Sequence, residues 1–354
     1  MKRKRNSYIQ ITDIIIFLMC LVILGGALLA FYPGLLTSDS VSQLEQGMQN
    51  NYSDAHPVLH SFIIGVLYKI NNSISVICIF QIALFALIWT KACRTLRKYN
   101  TKLSYKIFQV ILTSIILALP INFIHSIIIW KDIIFSYSIL ALLIYIYIGI
   151  KENYNYSYVD MLLLSIAAVL VMKIRHNGLI ISPIVLAIIL FMCYKKNKEI
   201  KKIIIFIAIF ILTFIIACLP EKLCKVQKVA FSSDLFTSTR LFAMGALLNG
   251  DIILEEEDYD ILNKIIPVEE WKKGYNQYHA LNIFYNENYD PQYLSEHEDE
   301  FTQIFRKYAK ENPRILFRHF KWLNSITWSV EQYGYMNSIF TSNIAIHEFS
   351  KRSL

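Results

Sequence analysis

Residues 57–70 read Pro57-Val-Leu-His-Ser-Phe-Ile-Ile-Gly-Val-Leu-Tyr-Lys-Ile70, an apolar stretch on which the layout of the whole chain turns. Seven longer apolar runs surround it, at about 14–32, 74–92, 105–121, 132–150, 158–174, 179–194 and 203–219, each near the ~20 residues that a bilayer core requires. If 57–70 crosses as well, the cationic segment 93–106 lands opposite the basic N-terminus and every later loop inverts. If it does not, the four cations at 2–5, six between Lys91 and Lys106, Lys151, and five between Lys195 and Lys202 all share one side. That arrangement gathers 16 of the 20 Lys and Arg in residues 1–219. Cytoplasmic loops retain Lys and Arg, so this side is the cytoplasmic one. The stretch has only 14 residues and begins at Pro57. It therefore reads as a re-entrant or interfacial helix against the outer leaflet. The expectation is an all-α polytopic bundle of about seven spans, with the N-terminus inside and the C-terminus outside.

Composition agrees. Of the 354 residues, 55% are apolar and 18% charged, and the mean hydropathy is +0.42. A soluble domain is nearer 45–50% apolar and about 25% charged. The net charge of +8 does not point to nucleic acid, because it divides by region. Residues 1–219 hold 20 Lys and Arg against 8 Asp and Glu, and residues 220–354 hold 15 against 19. The six cysteines lie mostly in apolar runs, without the spacing of a disulfide framework or a CxxC metal site. Residues 1–219 form the membrane domain, and residues 220–354 contain no further run long enough to cross. That second part reads as a small, mostly α, extracytoplasmic domain. Its acid-rich runs, with His297, are solvated helix faces. Among its aromatics, Trp322 and Trp328 are the candidates for stacking on a sugar.

The outer face collects the polar groups. Its first loop carries Tyr32-Pro-Gly-Leu-Leu-Thr-Ser-Asp39-Ser40, a helical pattern over residues 41–50, then Asp54-Ala-His56-Pro57 and His60. The second loop ends in Trp130-Lys131-Asp132, and the third is Arg175-His176-Asn177-Gly178. A phosphate-bearing lipid needs cations near the headgroup plane, and transfer to a hydroxyl needs a carboxylate base. Asp39 is the candidate base, and Lys131, Arg175 and His176 are candidates for the phosphate. Ser40, Asp54, His56, His60, Asp132 and Asn177 complete the substrate-binding set. A divalent ion such as Mg or Mn is a candidate cofactor, with Asp39, Asp54 and His56 as its ligands. Each residue also has a plain structural reading. Asp39 fits a helix cap beside a Ser40–Gln43 capping box, and His56 fits a cap before Pro57 or an i,i+4 pair with His60. Lys131 and Arg175 fit interfacial snorkelling, and Asp132 fits a pair with Lys131 or with a neighbouring span.

This layout resembles the GT-C type of polytopic glycosyltransferases, which use polyprenyl-phosphate-linked sugars. The resemblance rests on an acid soon after the first span (Asp39), a helix pair in that loop (41–50 and 57–70) and cations in later outer loops (Lys131, Arg175). The strings YPGLLTSDS, DAHPVLH, WKD and RHNG, with IIPVEEWKKGY and ENPRILFRHF in the tail, are similar to a group of largely uncharacterised bacterial membrane proteins. The resemblance implies inverting sugar transfer from a polyprenyl phosphate to an extracytoplasmic acceptor such as a cell-envelope glycan. Two other classes stay open: a lipid-linked saccharide transporter or flippase, and a noncatalytic envelope-assembly subunit. No acid or base lies near the middle of an expected span, which weighs against the transporter.

Overall fold

The computed structural model describes residues 10–54, 56–175, 178–227, 235–278, 283 and 286–325. Among the described residues ten helices lie in the first part of the chain: α1 Ile11–Ala30, α2 Ser38–Gln49, α3 Val58–Asn71, α4 Ser75–Arg97, α5 Leu103–Ala118, α6 Pro120–Ile127, α7 Lys131–Lys151, α8 Tyr158–Ile174, α9 Gly178–Asn197 and α10 Ile200–Leu223. The only strands among the described residues are two- and three-residue fragments. β1 (Leu35–Leu36) pairs in parallel with β3 (Ile128–Ile129), and β2 (Asn51–Ser53) with β4 (Lys225–Gln227).

Side-chain pairs establish which helix ends share a level. At one end Asp13 of α1 meets Arg97 of α4, Lys98 meets Glu152 after α7, and Lys202 of α10 donates to Asn155 before α8. At the other end Lys131 meets Asp39, Arg175 meets Asp132, and Lys173 meets Glu221 at 2.6 Å. Helices α1, α4, α5 with α6, α7, α8, α9 and α10 run between these ends. Five of them, α1, α4, α7, α9 and α10, are long and apolar enough to cross a bilayer alone. The protein is a multi-pass membrane helix bundle.

Two of the seven expected spans depart from a single straight helix of full crossing length. The run at 105–121 is not one straight helix: α5 and α6 meet at a 69° bend, and together they count as a sixth candidate. Pro120 causes the break, since it has no N–H to donate and forces Leu119 out of the helical region, to φ −66° and ψ 124°. The run at 158–174 forms a 17-residue helix, at the short limit for a span, and α8 is also the most enclosed of these helices. Met161, Leu164, Ala168 and Val171 are buried against α7, α9 and α10. In contrast, Ile204, Ile211, Leu212, Ile215 and Ile216 of α10 are exposed, as lipid-facing side chains are.

Helix α3 begins at the Asp39 end, and so does α4, whose Gln81 donates to Ile128 O at 3.0 Å. The α3–α4 pair therefore crosses once. One face of α3 is packed, with Ile64, Gly65 and Tyr68 buried, while Val66 and Ile70 are exposed, and Lys69 near its end donates to Asn50 at 2.9 Å. The helix meets α2 at Gly47 and Gly65, where a Cβ on Gly47 would stand 2.5 Å from Ser61 O and 2.7 Å from Gly65 Cα. Only glycine permits that approach.

Residues up to 227 belong to the first unit, because α10 continues past Pro220 and β4 pairs with β2. Among the described residues of the second unit the regular elements are helices: α11 Leu235–Asn249, α12 Glu256–Ile265, α13 Val268–Gly274, α14 Pro291–Glu296, α15 Glu298–Glu311 and α16 Pro313–Leu323. Its core holds Leu241, Met244, Leu247, Leu262, Phe301 and Trp271, whose Nε1 donates to Leu262 O at 3.3 Å.

Candidate functional site

Residues 32–40 work as a lead-in that aims Asp39. Gly34 adopts φ +127°, a value that side chains disfavour, and a Cβ there would stand 2.5 Å from Cys78 Sγ. Leu35 and Leu36 then register against Ile128 and Ile129. Thr37 caps α2: its hydroxyl accepts from Ser40 N at 3.1 Å, and Ser40 Oγ accepts from Thr37 N at 3.1 Å. The capping box is thus Thr37–Ser40, not Ser40–Gln43, and Asp39 sits inside the first turn rather than at the cap. Ser40, expected at the substrate, is buried and donates to Ile129 O. Its hydroxyl clamps α2 to the strand that leads into Trp130-Lys131.

That clamp brings together residues far apart in sequence. Lys131 Nζ lies 3.1 Å from Asp39 Oδ2 and 3.3 Å from His56 Nδ1. An ammonium has only donors, so Nδ1 of His56 must be the acceptor and its proton belongs on Nε2. Two of the three Lys131 N–H groups are used in this way. Lys131 is the first residue of α7, where the helix dipole disfavours a cation. Its place is explained by its partners, Asp39 in the first turn of α2 and His56 just before α3. The N-terminal ends of α2, α3 and α7 are therefore joined through one ammonium, and each adds positive potential there.

Next to Lys131, Asp132 forms an ion pair with Arg175, whose guanidinium lies 5.9 Å from the Phe135 ring centroid. The plain reading of Asp132 as an ion-pair partner holds, and Lys131 and Arg175 are paired rather than simply snorkelling. Asp54 follows β2, and its N–H donates to Gln227 O at 3.1 Å. His176 and Asn177 lie outside the described residues. His56 precedes the start of α3 by two residues, so the i,i+4 relation with His60 does not hold. Among the described residues no group of three or more His, Cys, Asp or Glu side chains is placed to hold a metal ion. The contact point of Asp39 and His56 is taken by the Lys131 ammonium.

One helical turn behind this contact lies a polar cluster of which the sequence marked only His60. His60 is fully buried with neither ring nitrogen bonded, and Gln43 and Ser61 are fully buried with unbonded side-chain polar atoms. A fully buried imidazole with no carboxylate partner stays neutral. The register explains the grouping. Asp39 meets His56 through Lys131, and Gly47 meets Ser61 and Gly65, so α2 and α3 run side by side in the same direction. Gln43, midway between Asp39 and Gly47, then falls at the level of His60 and Ser61. The signal was present as Asp39, Gln43 and Gly47 at i, i+4 and i+8 on one helix face.

The chain matches no family model, no curated protein and no solved structure.

In the second unit, Trp322 packs edge-on to Tyr278 at 5.7 Å, and Trp328 lies outside the described residues. His297 stacks on Tyr293 at 4.0 Å. His319 is buried, its Nδ1 3.1 Å from the Tyr275 hydroxyl, and burial lowers it to about 4.

Proposed function

We propose that the protein is an integral-membrane glycosyltransferase that moves a sugar from a polyprenyl phosphate to an extracytoplasmic acceptor such as a cell-envelope glycan. The observation that carries this reading is the Lys131 ammonium held between Asp39 and His56 where three helix starts meet. Its third N–H and the helix ends suit a phosphate oxygen, and Asp39 suits a hydroxyl proton. The positive-inside count supports placing this end outside the cell and the N-terminus in the cytoplasm.

In the proposed step the acceptor oxygen attacks the anomeric carbon from the face opposite the phosphate. Its proton goes to Asp39, and the bond from the anomeric carbon to the phosphate oxygen breaks. The electron pair leaves with the polyprenyl phosphate, whose charge Lys131 and Arg175 stabilise. Gln43, His60 and Ser61 present neutral donors and acceptors that suit the hydroxyls of a sugar. Unbonded buried polar groups cost about 1–3 kcal/mol each, which gives them reason to engage a ligand.

The test is binding of undecaprenyl phosphate to the protein in nanodiscs. Lys131→Met should weaken binding at least tenfold, whereas Lys98→Met, at the far end beside Glu152, should leave it unchanged. Equal affinities for all three proteins would refute the assignment.

A further inference from the structure

Helix α16, Pro313-Arg-Ile-Leu-Phe-Arg-His-Phe-Lys-Trp-Leu323, has two unlike faces. Ile315 and Leu316 pack against the core of the second unit, and His319 is buried. The other face holds Arg314, Phe317, Arg318 and Lys321 at i, i+3, i+4 and i+7, all exposed. Phe317 is 74% exposed, Phe320 beside it is exposed too, and no acid lies in the helix. A large aromatic ring surrounded by three cations is an unusual thing for a water-facing helix to display.

The adjoining loop repeats the pattern. Gly250 abuts α16, since a Cβ there would stand 2.6 Å from Ile315 Cδ1. Ile252 and Leu254 pack against the core, while Ile253 between them points outward and is 92% exposed. Among the described residues of this unit the exposed large hydrophobics are Ile253, Tyr259, Phe317 and Phe320, and three of the four belong to α16 and the loop against it.

We propose that α16 and the loop 250–254 dock on the surface of an anionic bilayer. Phe317 and Ile253 enter the boundary between headgroups and acyl chains, and Arg314, Arg318 and Lys321 contact lipid phosphates. The charge selects this occupant: aromatic and aliphatic side chains set among basic residues, without acids in the helix, match an interfacial lipid site. The occupant is also always at hand, because the same chain spans a bilayer. A basic residue near an anionic surface contributes about fivefold in affinity, so three of them with two apolar insertions suffice to hold a tethered domain.

The experiment is Phe317→p-benzoylphenylalanine in the full chain, irradiated in nanodiscs of phosphatidylcholine with or without phosphatidylglycerol. The same substitution at Ile211, an exposed position on α10, is the positive control. The expected result is a lipid-mass adduct on the 313–323 peptide, at least fivefold stronger with phosphatidylglycerol and reduced at least fivefold by adding Arg318→Glu. No lipid adduct at 317 while position 211 is labelled would overturn the proposal. So would an adduct insensitive to both lipid charge and Arg318→Glu. Repeating the irradiation in native membranes and finding a second polypeptide, or a second copy of this chain, joined at 317 in place of lipid would overturn it as well.

Discussion

Replacing Gly47 with alanine tests the α2–α3 crossing that positions Asp39. The new Cβ would lie 2.5 Å from Ser61 O and 2.7 Å from Gly65 Cα, against the 3.4 Å at which ordinary contact begins. Both neighbours are backbone, so no side chain can swing aside, and the helices must part by about 0.7–0.9 Å. A gap of that size forfeits roughly a quarter to a half of each dispersion contact along the seam. Overpacking of this kind costs about 1–3 kcal/mol. The matched control is Gly26→Ala in α1, where a Cβ meets nothing within 4 Å and helix propensity improves by about 0.5–1 kcal/mol. Chemical unfolding of both variants in detergent micelles, followed by near-ultraviolet circular dichroism, should move the midpoints in opposite directions. Because Asp39 lies two turns from Gly47 on the same helix, undecaprenyl phosphate binding should also weaken in Gly47→Ala and not in Gly26→Ala. Equal midpoints, or a stabilised Gly47→Ala, would refute the reasoning.

Asp13→Ala should destabilise the bundle by about 3–5 kcal/mol in the same assay, because it strands Arg97, only 2% exposed, whereas Asp13→Leu combined with Arg97→Met should be close to neutral. The second unit should lose stability as pH falls from 6.5 to about 4. There the unfolded chain protonates His319 and the folded one does not, so the contribution of about 3 kcal/mol is complete above 6.5 and gone below 4. Thermal unfolding of the full chain across that range should show the slope, and His319→Gln should remove it. Pro120→Ala should restore a backbone N–H at position 120 and lessen the α5–α6 bend, measured as a longer spin-label distance between positions 105 and 127.

How much of this was legible in the sequence depends on the physical range of each signal. The split of Lys and Arg between loops located the two ends of the bundle, and at one of them the structure joins Asp39 and His56 through Lys131, and Asp132 to Arg175. Depth in a membrane is a one-dimensional property, so periodicity and charge are enough to read it. Which residue bonds which is not of that kind. Nothing local joins Lys131 to Asp39 or Arg175 to Asp132, and their pairing depends on Ser40 binding Ile129 and on the glycine crossing. The break at Pro120 was readable by the rule for residues before proline, but the continuous hydropathy of 105–121 masked it. Gln43 and Ser61 were passed over because a polar residue on an amphipathic helix looks solvated until a second helix covers it.

That Asp39 and Lys131 carry out transfer chemistry is tested most directly by mass spectrometry of envelope glycans. The comparison uses cells with the wild-type gene, a deletion, and well-expressed Asp39→Asn and Lys131→Met variants. The predicted result is that one sugar decoration disappears in the deletion and in both variants while the proteins remain in the membrane. A decoration that the deletion loses and Asp39→Asn keeps would contradict it, and would move the protein to a transporting or assembly role.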